Sequence, residues 1–90
     1  AYAFITDDNG FTDTYAAANA CNDCCSEAEG REGCTYAVPG NPLTAGAPPV
    51  RIDYIFARGN FSGLESRVVF NEAPWVSEHS GVLTRISLQP

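Results

Sequence analysis

The sequence predicts a mixed α+β fold in one small domain. Its 90 residues are enough for one domain and too few for two. Several short β-branched and aromatic runs are separated by turn signals, which is typical of strands. Only one alanine-rich stretch follows a residue that can cap a helix. These patterns predict one short helix and four strands.

The helix is predicted at Thr14 to Ala20, where the carboxylate of Asp13 can accept a hydrogen bond from the first turn. Before it, Ala3 to Ile5 form a short apolar segment. This segment ends at Asp7-Asp8-Asn9-Gly10, which is a turn signal. The pattern therefore predicts a helix of one or two turns.

Four runs are predicted to be strands: Thr35 to Val38, Arg51 to Arg58, Leu64 to Phe70, and Gly81 to Leu88. The prolines between Pro39 and Pro49 forbid regular structure, so this segment is predicted to be a long loop. In the last run, apolar side chains at the even positions Val82, Ile86 and Leu88 alternate with Arg85 and Ser87. This alternation predicts a strand with one buried face.

The second predicted strand carries one carboxylate, Asp53, in a run that is otherwise rich in isoleucine and aromatic residues. Burial disfavours the ionised carboxylate, so Asp53 needs a charged or hydrogen-bonding partner. The only histidine, His79, lies in a polar turn just before the last strand. We predict that Asp53 and His79 come together. The alternatives are a pairing of Asp53 with Arg51 or Arg85, and a surface turn for His79.

The chain is acidic, with a formal net charge of −6, and all of its basic residues are arginine. Seven of the eleven acidic residues lie in residues 1–50, where Arg31 is the one basic residue. This balance excludes a generic nucleic-acid-binding surface. The acidic half is interpreted as a solvated face, and the alternative is a patch that attracts divalent cations.

Four cysteines lie in a polar, loop-like segment, at Cys21, Cys24, Cys25 and Cys34. Two disulfides are expected; three connectivities exist, but the adjacent Cys24 and Cys25 are poor partners. The alternatives are a zinc site, of which Cys21-x-x-Cys24 would be one half, and free thiols. The cysteines and the glycosylation pattern at Asn60 together indicate a secreted or extracytoplasmic protein.

Four segments, in this order, resemble the C-terminal third of the endonuclease/exonuclease/phosphatase superfamily: Gly10 to Tyr15, Cys34 to Tyr36, Arg51 to Phe56, and Ser77 to Val82. The resemblance spans nearly the whole chain. The Arg-Ile-Asp-Tyr-Ile-Phe run and the later histidine turn are its most specific elements, and they are specific as an ordered pair. The His-Ser-Gly-Val ending is similar to that of the neutral-sphingomyelinase branch.

The resemblance implies that residues 1–90 are the C-terminal portion of a four-layer α/β/β/α sandwich with mostly antiparallel strands. It also implies hydrolysis of phosphoester bonds with Mg²⁺ or another divalent cation. His79 matches the catalytic histidine, and Asp53 matches the aspartate that hydrogen-bonds to it. Glu78 stands where the family usually has an aspartate close to the metal and the attacking water, so it is both a catalytic and a metal-ligand candidate.

The implied substrate is a phosphodiester, either a phospholipid as in a sphingomyelinase or a nucleic acid as in a DNase I-like nuclease. The other implied partner is the missing N-terminal part of the same domain, which would carry further metal ligands. We therefore expect little or no hydrolysis by this fragment alone. The first 30 residues contain no apolar run long enough for a membrane span, and no transmembrane segment is expected. The alternatives are a non-catalytic binding relative, suggested by Glu78 in place of aspartate, and a small secreted domain stapled by disulfides.

Overall fold

The computed structural model describes residues 1–88 and has a mixed α+β architecture, as the sequence predicts. Its regular elements are one α-helix and two antiparallel sheets of two strands each. A π-helical turn at Phe4–Asp8 and 3₁₀ turns at Glu27–Glu29 and Pro42–Thr44 complete the secondary structure. None of the helices within residues 1–88 has the length and apolar character needed to cross a membrane.

The helix α1 spans Thr14–Asn19 and is capped as predicted, since the Asp13 carboxylate accepts a hydrogen bond from the Ala16 N–H at 3.4 Å. It ends at Ala20, which adopts the left-handed conformation with φ of 53°. The helix packs against the later hairpin, and its Asn19 side chain donates a hydrogen bond to the Ser66 carbonyl at 3.0 Å. The predicted helix is therefore confirmed to within one residue.

The longest strands, β3 (Phe61–Val69) and β4 (Gly81–Leu88), form an antiparallel hairpin. The strand predicted at Leu64 to Phe70 starts three residues earlier and ends at Val69. The next residue, Phe70, has a φ of 58°, which breaks the extended backbone. The predicted span of β4 is confirmed.

The buried face of this hairpin is more polar than the alternation predicts. Ser66 on β3 is 6% exposed, and its hydroxyl bonds that of Thr84 on β4 at 3.0 Å. The Thr84 hydroxyl also bonds that of Thr14 on α1, at 2.9 Å. In contrast, Ile86 and Leu88, which the pattern assigns to the buried face, are exposed. Hydroxyl groups therefore contribute to the contact between helix and hairpin.

The run Arg51 to Arg58 is not the buried strand that the sequence predicts. Only its end forms β2 (Phe56–Ala57), which pairs with β1 (Thr12–Asp13). The N–H groups of Ile52 and Asp53 donate to the Thr35 hydroxyl and not to a neighbouring strand, at 3.0 and 3.1 Å. A side chain thus replaces the strand ladder in this segment.

The predicted strand at Thr35 to Val38 is also absent as a regular strand. Tyr36 forms two isolated antiparallel bridges, one with Val50 and one with His79. Ala37 then adopts a φ of 54°, which ends the extended backbone after two residues. Tyr36 therefore joins two distant segments without belonging to a sheet.

The four cysteines form two disulfides, Cys21–Cys24 and Cys25–Cys34, so the expectation of two bridges is confirmed. Cys25 and Cys34 are buried, whereas Cys21 and Cys24 are half-buried. Because all four sulfurs are in disulfides, the alternatives of a cysteine zinc site and of free thiols are not realised.

A nearly buried ion pair joins the start of the chain to the Asp53 segment. The guanidinium of Arg51 binds the carboxylate of Asp13, and the Tyr2 hydroxyl donates to the same carboxylate at 2.7 Å. The guanidinium also lies over the Tyr54 ring, 4.7 Å from its centroid. Burial acts to raise the pKa of Asp13, but the hydrogen bonds from Arg51 and Tyr2 outweigh it, so this pKa lies below its ordinary value.

Candidate active site

The two residues that the sequence singles out lie side by side. Nδ1 of His79 is 2.7 Å from Oδ2 of Asp53, which is a hydrogen-bonding distance. The side chains are 45% and 41% exposed, respectively. The proximity that was predicted is therefore observed, but the prediction that Asp53 is buried is wrong. The reason is that the flanking Ile52 and Tyr54 are themselves exposed, since no second layer within residues 1–88 buries this segment.

The alternative pairing of Asp53 with Arg51 does not form. The Arg51 side chain points to Asp13 instead, where it satisfies the most buried carboxylate of the described residues. The other candidate, Arg85, lies within β4, where it stands opposite Glu65 of β3. The imidazole is therefore the partner of Asp53 in this structure.

His79 lies in the segment of residues 70–80 that connects β3 to β4, and several hydrogen bonds hold this segment. The buried Asn41 side chain donates to the Ser77 carbonyl at 2.9 Å, and the Ser77 hydroxyl accepts from the His79 N–H at 3.2 Å. The Ser80 N–H donates to the Thr35 carbonyl at 2.7 Å. The histidine backbone is thus fixed although its side chain is half-exposed.

The imidazole ring is also held from the side by an aromatic contact. The Tyr36 and His79 ring centroids are 5.1 Å apart, with an interplanar angle of 61°, which is an edge-to-face arrangement. The same two residues form an antiparallel backbone bridge. Backbone pairing and ring packing therefore restrict His79 to the side that faces Asp53.

This geometry defines what the pair can do chemically. A carboxylate on Nδ1 favours the tautomer with its proton on Nδ1, and it stabilises the imidazolium when the ring gains a second proton. Nε2 of His79 is then available to accept or donate a proton, or to bond an anionic oxygen. Because the ring is 45% exposed, a substrate can reach it from solvent.

Glu78, the third predicted site residue, is exposed and precedes His79 in the same turn. Across the described part of the chain, residues 1–88, no three His, Cys, Asp or Glu side chains cluster closely enough to hold a metal ion. Glu78 therefore offers one carboxylate, and it does not belong to a complete metal site formed by the described residues.

The residues that sequence reasoning missed are those that hold the pair in place, chiefly Thr35, Tyr36 and Asn41. The Thr35-Tyr36 dipeptide belongs to one of the segments that carry the family resemblance, which was the available signal. Asn41 lies in a proline-rich loop whose composition predicts only irregular structure. Its role depends on a contact 36 residues away in sequence, which no local pattern reveals.

The structure thus brings together two of the three predicted site residues, Asp53 and His79, and places Glu78 on the same exposed turn. Comparison of the chain with protein-family models, with curated proteins and with solved structures finds no match.

Proposed function

We propose that this chain is part of a divalent-metal-dependent phosphoester hydrolase, a phosphodiesterase of sphingomyelinase-like or nuclease-like type, to which it supplies an Asp–His pair. The observation that carries the proposal is the 2.7 Å hydrogen bond between Asp53 and His79 on an accessible surface. The ordered resemblance of four segments to the endonuclease/exonuclease/phosphatase superfamily supports the same reaction class.

In the proposed reaction, a water oxygen forms a bond to phosphorus while the bond from phosphorus to the leaving-group oxygen breaks. The attacking water loses one proton, and the leaving oxygen gains one. Nε2 of His79 serves as the site that accepts or donates a proton, and Asp53 stabilises the imidazolium. A positioned acid or base of this kind accelerates a reaction by about 10²- to 10⁴-fold.

The proposal includes a divalent cation such as Mg²⁺, which would neutralise charge on the transferring phosphoryl group. Mg²⁺ is commonly bound by one or two carboxylates together with substrate oxygens and water. Glu78 would supply one such carboxylate. Residues 1–88 hold no group of three His, Cys, Asp or Glu side chains that could bind a metal ion, and we assign only the proton transfers to the described residues.

The proposal also includes a larger layered domain, the α/β/β/α sandwich, that packs on this chain. The support is the small apolar core within residues 1–88: the buried hydrophobic residues are Tyr15, Cys25, Cys34 and Ala37. Large apolar side chains such as Phe4, Phe70 and Val76 are more than 60% exposed. The two disulfides support an oxidising, extracytoplasmic location.

A second candidate function is favoured by the same disulfides. A small secreted module stapled by two bridges can fold alone and bind a partner without catalysis. In that case the Asp53–His79 hydrogen bond would be a surface contact. The two candidates differ in whether the isolated chain unfolds cooperatively and in whether His79 affects hydrolysis.

The test uses the full-length product of the coding sequence that contains this chain. It measures Mg²⁺-dependent release of phosphocholine from sphingomyelin and Mg²⁺-dependent nicking of plasmid DNA. We expect one of these activities, and we expect His79→Gln to lower its kcat by about 10²-fold or more. The control is Glu72→Gln, an exposed residue in the same β3–β4 connection. A folded protein that hydrolyses neither substrate, or that is indifferent to His79→Gln, would overturn the proposal.

A further inference from the structure

We propose that Thr35 is the positioning residue of the Asp53–His79 pair, an inference that rests on the proposed function of that pair in proton transfer. Thr35 is 1% exposed, and it contacts neither the imidazole nor the carboxylate by hydrogen bond. Its hydroxyl oxygen accepts two main-chain hydrogen bonds, from the N–H of Ile52 at 3.0 Å and from the N–H of Asp53 at 3.1 Å. The hydroxyl thus fixes the backbone from which the carboxylate extends.

The main chain of Thr35 holds the other half of the pair. Its carbonyl accepts from the Ser80 N–H at 2.7 Å, directly after His79. Its own N–H donates to the Val50 carbonyl at 3.0 Å, just before the Asp53 segment. One buried residue therefore connects the backbone that carries the carboxylate to the backbone that carries the imidazole, although these are 26 residues apart in sequence.

The side chain and the main chain of Thr35 make separable contributions. Any residue except proline has the main-chain groups that form the hydrogen bonds to Val50 and Ser80, whereas the hydrogen bonds from Ile52 and Asp53 require a side-chain acceptor. Valine has nearly the same shape as threonine but cannot accept a hydrogen bond. Thr35→Val leaves two N–H groups without their partner, so the backbone at Asp53 must shift to find another.

Such a shift matters because proton transfer depends steeply on geometry. A misplacement of about 1 Å in a catalytic group can lower the rate by about 10²-fold. We therefore expect Thr35→Val to lengthen or break the hydrogen bond between His79 and Asp53 and to lower kcat by about that factor, with a much smaller effect on KM. Thr35→Ser keeps the acceptor and is expected to keep the hydrogen bond.

The decisive readout is spectroscopic and needs no substrate. Because His79 is the only histidine in the chain, its ring nitrogens give the only imidazole signals in a ¹⁵N NMR spectrum of the 90-residue protein. Their shifts report which nitrogen carries the proton, and this depends on the Asp53 hydrogen bond. The spectrum is recorded for the wild type, for Thr35→Val and Thr35→Ser, and for Thr84→Val as the matched control.

Thr84 is a suitable control because its hydroxyl bonds only the hydroxyls of Thr14 and Ser66 among the contacts of the described residues. We expect wild-type imidazole shifts in Thr84→Val and Thr35→Ser, and altered shifts in Thr35→Val. A folded Thr35→Val protein with wild-type shifts would overturn the proposal. Should Thr35→Val not fold, a folded Thr35→Ser protein whose shifts are altered would overturn it equally.

The same variants in the full-length protein separate this inference from the proposed function. If that protein hydrolyses no phosphodiester while the imidazole shifts follow the expected order, the function fails and the positioning role of Thr35 stands. If hydrolysis is observed and depends on His79, but Thr35→Val leaves both kcat and the imidazole shifts unchanged, the positioning role fails and the function stands.

Discussion

At the scale of single residues, two of the chain's carboxylates, those of Asp53 and Asp13, lie in different environments. Asp53 is half-exposed and bonds the imidazole of His79, so it can respond to the protonation of that ring. Asp13 is 5% exposed and is held by the Arg51 guanidinium and the Tyr2 hydroxyl. The exposed pair suits chemistry with a substrate, and the buried pair suits a structural role, because a charge buried without a partner is costly.

The buried pair predicts a dependence of stability on pH. Because the folded-state pKa of Asp13 lies below its ordinary value of 3.8, the stabilising effect of Asp13 is present above that value and is lost as the pH falls through the folded-state pKa. We expect the free energy of unfolding, measured in urea from pH 6 down to pH 2, to fall more steeply for the wild type than for Asp13→Asn/Arg51→Gln. An equal dependence of the free energy of unfolding on pH in the two proteins would contradict the stabilising role of the ionised Asp13 carboxylate.

The same pair predicts a large coupling between its two residues. Asp13→Asn alone leaves the Arg51 guanidinium largely buried without its counter-ion, and we expect it to lower the free energy of unfolding. The double variant Asp13→Asn/Arg51→Gln buries no charge, so it should be more stable than Asp13→Asn. A urea-unfolding comparison at pH 7 decides this, and additive losses from the two substitutions would speak against a coupled pair.

At the scale of elements, the sequence predicts those parts whose signals are local. Asp13 followed by an alanine-rich stretch predicts α1, and the alternation in Gly81 to Leu88 predicts β4, because capping and side-chain period are properties of adjacent residues. The run Arg51 to Arg58 has strand composition, yet only Phe56–Ala57 pairs. Its N–H groups bond a threonine hydroxyl from a distant segment, and composition cannot reveal such a partner.

The candidate site, like the secondary structure, has features that the sequence predicts and features that it does not. A lone histidine and a carboxylate in an apolar run can be recognised from the sequence, and their ordered spacing suggests that they meet. The exposure of Asp53 could not be predicted, because a run of isoleucine and aromatic residues indicates burial wherever a second layer covers it. Within residues 1–88 no such layer covers the segment, so its apolar side chains remain at the surface.

The two disulfides should contribute unequally to stability. Cys25–Cys34 is buried and closes the longer loop, with a sequence separation of 9, whereas Cys21–Cys24 is half-buried with a separation of 3. Loop entropy gives about 3 kcal/mol for the longer loop and about 2 kcal/mol for the shorter one. We expect Cys25→Ala/Cys34→Ala to lower the urea midpoint more than Cys21→Ala/Cys24→Ala. The reverse order would contradict this ranking and would show that the half-buried bridge contributes more to stability.

At the scale of the whole molecule, the described residues bury little apolar surface. Twelve large hydrophobic side chains are exposed, and those from β3, β4 and the connection between them include Phe70, Val76, Leu83 and Leu88. A single small core of this kind supplies a marginal free energy of folding unless a partner covers the remaining apolar surface. This distribution is consistent with the larger layered domain of the proposed function.

We therefore predict that the isolated 90-residue chain is marginally stable, with a free energy of unfolding at or below about 5 kcal/mol, and that it binds a hydrophobic dye such as ANS. Urea unfolding and dye fluorescence measure the two properties, and the full-length protein serves as the reference. Cooperative unfolding well above that value without dye binding would favour the self-contained disulfide module over the hydrolase domain.

The central claim is that Asp53 and His79 form a hydrogen-bonded pair, and ¹⁵N NMR of the single histidine tests it most directly. Under alkaline conditions that leave imidazole neutral, the pair predicts that the wild-type proton resides on Nδ1, and that replacing the carboxylate in Asp53→Asn weakens this preference. Imidazole shifts that are the same in the wild type and in a folded Asp53→Asn protein would contradict the account.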